Sequence, residues 1–237
     1  MNPTNVMDGL FWFVAFLFST TLHEAAHAWA ALRGGDRTAY LGGQVSLSPL
    51  PHIRREPLGM LVVPLFTAVA NGWAMGWASA PYDPNWAERY PRRAAWMAAA
   101  GPAANYCLAI LAWLLLRAGL AMGYFLAPQS VSIDHLVAPA AGGTGSLAAF
   151  LAQGLSVLLM ENVILGTFNL VPLPPLDGSA AIGLLLPEKA AAALRRVSRS
   201  PQFSLVGLFL AWKVFPLVTS PLFGWVIKLL HPGLSYS

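Results

Sequence analysis

The chain has 237 residues, of which 57% are hydrophobic and only 10% are charged, and its mean hydropathy is +0.58. Soluble domains carry about 25% charged residues, so this composition excludes an ordinary soluble domain and indicates a membrane protein. The net charge of +4 is too small to indicate a nucleic-acid partner. The single cysteine, Cys107, excludes an intrachain disulfide and a cysteine-rich zinc site.

Four segments are long and apolar enough to cross a bilayer, which takes about 20 residues. They are residues 9–32, 94–117, 147–170 and 205–230. A fifth apolar run, residues 57–77, is interrupted by prolines and glycines, which disfavour a continuous helix. We therefore predict an all-α polytopic membrane protein with about four transmembrane helices, the last of them a C-terminal helix over about residues 205–230.

The basic residues predict the topology. Eleven of the 14 Lys and Arg lie within residues 33–55, 89–93 and 189–199, whereas the connection 118–146 has none. The positive-inside rule places these three basic segments in the cytosol. Two of them flank residues 57–77, so this run is predicted to enter and leave the membrane on the same side, as a re-entrant segment. The alternative, a full span, would place the second basic segment outside.

The first span contains the sequence TTLHEAAHAW at residues 20–29, although a charged side chain at the bilayer centre costs at least about 2.5 kcal/mol. His23 and His27 are four residues apart, so they share a helix face and can hold one zinc ion, with Glu24 as a general base. A catalytic zinc site needs a third protein ligand. Asp177, which follows the third span in FNLVPLPPLDG, is the candidate because the first and third spans are predicted to run parallel. The alternative is that this HExxH pattern occurs by chance on a helix that binds no metal. The cost of inserting its polar residues into the membrane makes that alternative the weaker one.

Three motifs, in this order, resemble those of the site-2 proteases, which are zinc metalloproteases that cut within the membrane. They are HEAAH, AGPAAN with Asn105, and NLVPLPPLDG with Asn169 and Asp177. The segments GGQVSLSPLPHIRREPLG and GWASAP also resemble linking segments of the compact bacterial branch, although Ser48 stands where that branch commonly has asparagine. The resemblance covers about residues 20–178, and the PDZ insert of the larger members has no counterpart there.

The resemblance implies three ligands for one Zn²⁺, one catalytic base, and two asparagines near the substrate backbone or the oxyanion: His23, His27 and Asp177; Glu24; and Asn105 and Asn169. It implies one integral-membrane domain over residues 1–237, with a three-helix catalytic core within about residues 9–187. Single-span membrane proteins would be its substrates, in the lipid bilayer of the cell membrane, with the active site toward the cytosolic side. An extended substrate could add to a strand edge, and we expect a small β segment near residues 42–48.

Other interpretations stay open from the sequence. Asn105 and Asn169 could instead make polar contacts between helices. The alternative function is a non-proteolytic membrane zinc-binding protein or a metal transporter. A transporter needs ionisable residues at several depths, whereas here they cluster at one depth except for Glu161. Glu161 could line a water path or bind a neighbouring helix, and His52, in PHIRRE, is predicted to be solvated or interfacial.

Overall fold

The structure is a computed structural model that describes residues 3–143, 145–198, 201–234 and 236. Long apolar helices dominate it, and short helices connect them at one end of the bundle. A π-helical turn, Leu58–Val62, precedes the fourth α-helix. The α-helices, in chain order, are α1 Pro3–Arg33, α2 Thr38–Leu41, α3 Pro49–Arg55, α4 Val63–Asn71, α5 Pro84–Arg89, α6 Pro91–Ala121, α7 Leu147–Asn169, α8 Gly178–Ala181, α9 Glu188–Ser198 and α10 Pro201–Leu230.

Four helices among the described residues are long and apolar enough to cross a membrane: Met7–Arg33, Pro91–Ala121, Leu147–Asn169 and Gln202–Leu230. They coincide with the four predicted spans to within a few residues at each end. The prediction of an all-α polytopic membrane protein is confirmed. The third basic segment ends at Arg199, which lies outside the described residues.

The core of the molecule is a bundle of α1, α6 and α7, as predicted. Phe11 of α1 packs on Phe150 of α7 with ring centroids 5.0 Å apart, and further along both helices Asn162 Nδ2 donates to Ser19 Oγ at 2.8 Å. The two helices therefore run in the same direction. α6 runs antiparallel to them and begins beside the C-terminal end of α1. α10 lies at the edge of the bundle and is largely exposed.

Residues 57–77 fold into a hairpin that returns to its starting level. The chain runs through the π-helical turn and α4, ends that helix at Gly72 in the left-handed conformation (φ +77°), and returns in extended form. Trp77 N then donates to Gly59 O at 3.1 Å, so the two ends of the segment meet. At the tip, Ala68 packs against Gly9 near the start of α1. The hairpin therefore reaches deep along the bundle without crossing it.

The segments that precede and follow the hairpin lie at the same end of the bundle. Asp83 N donates to Asp36 Oδ2 at 2.8 Å, and Trp86 Nε1 donates to Gly34 O at 3.0 Å. Both contacts join the chain after the hairpin to the chain just after α1. The predicted fold-back of residues 57–77 is thereby confirmed, and a full crossing is not compatible with these contacts.

The expected β segment near residues 42–48 is wrong. Gly43 adopts a positive φ of +73° there, and Gln44 N donates back to Ala39 O at 2.9 Å, so this backbone forms a turn. Ser48 then caps α3 by accepting from Leu50 N. Among the described residues, the paired strands are instead β1, Phe125–Leu126, and β2, Ala138–Pro139, antiparallel in the connection between α6 and α7.

Candidate active site

Three predicted metal ligands converge beside α6. His23 and His27 lie one turn apart on α1, with their Nε2 atoms 2.9 Å apart. Asp177 Oδ2 lies 3.0 Å from His23 Nε2 and 3.2 Å from His27 Nε2. Ligand atoms of a tetrahedral zinc site, with bonds of about 2.0–2.1 Å, stand about 3.3 Å apart. The donor set therefore has the spacing of a three-ligand zinc site.

The hydrogen bonds of the two imidazoles fix their tautomers. His27 Nδ1 lies 2.7 Å from Met97 O, and because a carbonyl only accepts, this nitrogen carries the proton. His23 Nδ1 likewise donates to Asn105 Oδ1 at 2.6 Å. Each neutral ring then directs its Nε2 lone pair at Asp177. Three lone pairs at these distances can share one cation, and two imidazoles with a carboxylate suit Zn²⁺.

A chain of buried polar side chains supports His23 from behind. Asn105 Nδ2 donates to Asn162 Oδ1 at 2.9 Å. Asn162 Nδ2 donates in turn to Ser19 Oγ at 2.8 Å and to Leu158 O at 2.8 Å. Asn105 and Asn162 are completely buried. These bonds tie α1, α6 and α7 together at the level of the first ligand, and the interhelical contacts that the sequence left open for Asn105 are present.

The two asparagines predicted to contact substrate occupy different places. Asn105 has its amide oxygen on His23 and its amide nitrogen on Asn162, so both ends of its side chain bind protein groups. Asn169 ends α7, where its Nδ2 donates to Leu165 O at 3.1 Å. The substrate-binding role of both residues stays a prediction.

Gly101, in the AGPAAN motif, lets α6 approach the ligands closely. A Cβ at this position would lie 2.3 Å from His27 Nε2 and 2.5 Å from His23 Nε2. Real Cβ atoms essentially never come within 3.0 Å of another heavy atom. The glycine therefore leaves the room in which the two ligand nitrogens, and a metal between them, can sit.

Glu24 lies next to the ligands and is 5% exposed, as are His23 and His27. His52 lies on α3, which packs against α1. The structure thus corrects the prediction for His52, which is 1% exposed on α3 rather than solvated. The apolar residues around it in PLPHI were the available signal, but the basic residues that follow suggested a surface loop.

Solvent can reach the site from the side of Asp177. The Asp177 side chain is 23% exposed and borders a cavity of about 280 Å³. A water molecule or a peptide end can therefore approach the ligands without passing through the helix core.

Comparison with known proteins assigns the chain to a family. The family model described as Peptidase family M50, the site-2 proteases, matches residues 11–211. The chain belongs to this family. No solved structure matches the chain significantly. With the M50 assignment, the metal that the His–His–Asp site fits is Zn²⁺, and the protein is a zinc metalloprotease of the membrane.

Named relatives of this M50 protease are also zinc metalloproteases by name. YwhC of Bacillus subtilis (strain 168) is 30% identical over 207 residues, which cover 86% of this chain and 80% of YwhC. Rip2 of Mycobacterium tuberculosis is 31% identical over 193 residues, covering 81% of this chain but 62% of Rip2. Rip2 of Mycolicibacterium smegmatis is 27% identical over 222 residues, 94% of this chain and 72% of that protein. These relatives give no support to a transporter or a structural zinc site.

Proposed function

We propose that this M50 protease hydrolyses peptide bonds of single-span membrane proteins, at an active site near the cytosolic side of the cell membrane. The observation that carries the proposal is the convergence of two ligands on a membrane-spanning helix with a third, Asp177, from the loop after a parallel span. A site on such a helix is accessible to a substrate that itself lies in the bilayer.

In this proposal His23, His27 and Asp177 hold the zinc ion and Glu24 is the general base. When bound, the zinc ion acts as a Lewis acid toward the scissile carbonyl and the attacking water. Glu24 accepts a proton from that water as its oxygen bonds to the carbonyl carbon. Glu24 then returns the proton to the leaving amine as the C–N bond breaks, so that it is unchanged after each turnover.

A membrane-spanning substrate must unwind locally before cleavage, because its backbone amides are otherwise bonded within its own helix. Asn169, at the end of α7, could form hydrogen bonds with this exposed substrate backbone. Asn105 uses one of its two amide N–H groups on Asn162, so the other can donate to the substrate or the oxyanion once its buried side chain becomes accessible. We propose substrate contact for both residues, with Asn105 also orienting His23.

The cytosolic assignment rests on charge and geometry together. Two of the three basic segments lie at the end of the bundle where α1 ends at Arg33, on either side of the hairpin. Asp177 approaches His23 and His27 in the half of α1 that leads to this end. We propose that the whole chain acts as one membrane domain, with the catalytic core within about residues 9–187 and α10 as its C-terminal helix.

Co-expression with candidate single-span substrates tests the function. The wild type should cleave a substrate, whereas Glu24→Gln should keep its zinc and lose cleavage, because an amide cannot accept the proton of the attacking water. A Glu24→Gln variant that cleaves at a rate near that of the wild type would exclude Glu24 as the base. If the zinc-loaded wild type cleaves none of the candidates, the single-span substrate class is rejected.

A separate labelling experiment tests the sidedness. Cysteines introduced at Arg37 and Asn85, in a Cys107→Ser background, should both react with a membrane-impermeant reagent only from the cytosolic side. Position 37 follows α1 and position 85 follows the hairpin, so the two report on the same end of the bundle. Labelling of both positions from outside would reverse the orientation, while labelling from opposite sides would contradict the hairpin.

A further inference from the structure

Three buried polar atoms around the catalytic carboxylate have no hydrogen-bond partner among the described protein residues. They are Thr20 Oγ1, Glu24 Oε2 and His52 Nδ1. The three residues are only 6%, 5% and 1% exposed, respectively. An unsatisfied buried polar group costs about 1–3 kcal/mol, so three in one neighbourhood call for a common partner.

The three residues come from two helices that pack together. Thr20 and Glu24 are one turn apart on α1, so their side chains project from the same face. His52 is buried on α3, the helix that packs against α1 beyond the short α2. The three side chains are therefore all buried, on two helices that pack against each other.

The hydrogen-bonding capacities of the three atoms complement one another. His52 Nε2 donates to Ser46 O at 3.1 Å, because that carbonyl can only accept, which leaves Nδ1 as an acceptor. The ionised carboxylate of Glu24 also only accepts, whereas the Thr20 hydroxyl can donate. Two acceptors and one donor match a water molecule, which donates twice and accepts once. Buried waters typically make about three such bonds to otherwise unsatisfied groups.

We propose that His52 is a positioning residue for Glu24, acting together with Thr20 through one buried water molecule. This water binds Glu24 Oε2 and fixes the rotation of the carboxylate, so that Oε1 is directed at the attacking water. His52 and Thr20 touch neither substrate nor metal in this arrangement. The proposal rests on Glu24 being the general base and gives a role to a histidine that zinc binding leaves unused.

Two substitutions of His52 separate the proposed role from a purely structural one. The amide nitrogen of glutamine reaches the place of Nε2, so His52→Gln keeps the bond to Ser46 but loses the acceptor at Nδ1. Asparagine reaches the place of Nδ1, so His52→Asn keeps an acceptor and loses the Ser46 bond. We expect His52→Gln to lower kcat about 10- to 100-fold with little change in KM, zinc content or Tm. His52→Asn should retain more kcat despite a lower Tm.

Substitutions of Thr20 and of the adjacent Thr21 provide a matched test of the Thr20 hydroxyl. Thr20→Val removes the hydroxyl at nearly constant volume and should lower kcat as His52→Gln does. Thr21→Val is the control, because the Thr21 hydroxyl already donates to Leu17 O at 2.7 Å and points away from the proposed water. The double variant Thr20→Val, His52→Gln should lose no more activity than the worse single variant, since both disrupt the same water.

The outcomes distinguish this proposal from the proposed function. If His52→Asn is as impaired as His52→Gln or more so, or if the losses of the double variant multiply, the shared water is rejected while Glu24 remains the base. If Glu24→Gln cleaves at the wild-type rate, Glu24 is not the base and this proposal falls with that role, whereas a zinc-loaded wild type that cleaves no candidate would mean that the proposed function itself has failed. An experimental density map of the zinc-loaded wild type provides an activity-independent test: a peak within about 3.2 Å of all three atoms is expected, and an apolar contact there would overturn the proposal.

Discussion

Replacement of Gly101 by alanine should abolish zinc binding without disturbing the membrane helix that carries it. Gly101 lies inside α6, and alanine is favoured over glycine in a helix by about 1 kcal/mol. The added methyl, however, would stand 2.3 Å from His27 Nε2 and 2.5 Å from His23 Nε2. A zinc ion would stand about 2.0–2.1 Å from the same nitrogens, so the methyl competes for the space of the metal.

The size of the effect follows from the required displacement. Ordinary contact of a Cβ begins at 3.4 Å, so both imidazoles must retreat by about 1 Å to accommodate the methyl. Zinc ligands must lie within about 0.2 Å of their ideal distances. The retreat would also strain the bonds from His23 to Asn105 and from His27 to Met97. Elemental analysis of the purified variant should therefore show well under one tenth of the wild-type zinc content.

Gly154→Ala is the matched control for this experiment. Gly154 also lies in a membrane-spanning helix, α7, but a Cβ there would meet only Phe11, at an ordinary distance of 3.4 Å. This variant should keep wild-type zinc and activity. Circular dichroism in detergent should show unchanged helix content for both variants. A Gly101→Ala protein with full zinc content would refute the packing of α6 against the ligand nitrogens, and with it this placement of the site.

Two further predictions test the surroundings of the site and the loop between α6 and α7. Asn105→Ala should weaken zinc binding about 10- to 100-fold in chelator competition, because the tautomer of His23 loses its partner, and Asn162→Ala, one bond further away, should weaken it less; equal effects would contradict the chain of bonds. Hydrogen bonding to His135 lowers the pKa of Asp134 to about 2, and the same bond raises the pKa of His135. The pair therefore stabilises the loop fully between pH 3.8 and pH 6.5, the ordinary pKa values of the two groups. The stabilisation is lost at lower pH as Asp134 gains a proton, and at higher pH as His135 loses one. NMR titration of Asp134→Asn should show a lower pKa for His135, and an unchanged value would refute the bond.

Much of the fold follows from hydropathy and from the placement of a few charges. Each of the four spans contains enough apolar residues to make insertion favourable, so its existence depends little on tertiary contacts. The hairpin at residues 57–77 was predictable because two basic segments flank it and glycines interrupt it. The path by which the hairpin returns beside Gly59 was not predictable. It depends on a close contact between Gly59 and Trp77, which lie 18 positions apart in the sequence.

The alternation of polar and apolar residues gave a wrong secondary structure where the backbone forms hydrogen bonds within a turn. GGQVSLS alternates as a strand does, but a strand needs a second strand to bind its amides. Here Gln44 N bonds to Ala39 O within a turn, and His52 takes the carbonyl of Ser46. These contacts depend on how α3 packs against α1, which no spacing within the segment encodes. The same packing hides His52, since a histidine before two arginines has the composition of a surface loop.

The three ligands can meet only because α1 and α7 run parallel. The seven residues between the end of α7 and Asp177 then turn the chain back toward His23 and His27. Phe11 meets Phe150 and Ser19 meets Asn162, so the two helices advance together toward the same end of the bundle. Counted residue for residue from the contact of Ser19 with Asn162, the level of His23 and His27 is reached near the last turn of α7, at about residues 166–170. The proline-rich segment then ends the helix and brings Asp177 back to within 3.0 Å of His23. Gly178 makes this return possible, because a Cβ there would stand 2.2 Å from Leu170 O. The Asp-Gly pair is therefore a single requirement of geometry: the aspartate supplies the charge, and the glycine lets the loop fold back onto the end of α7.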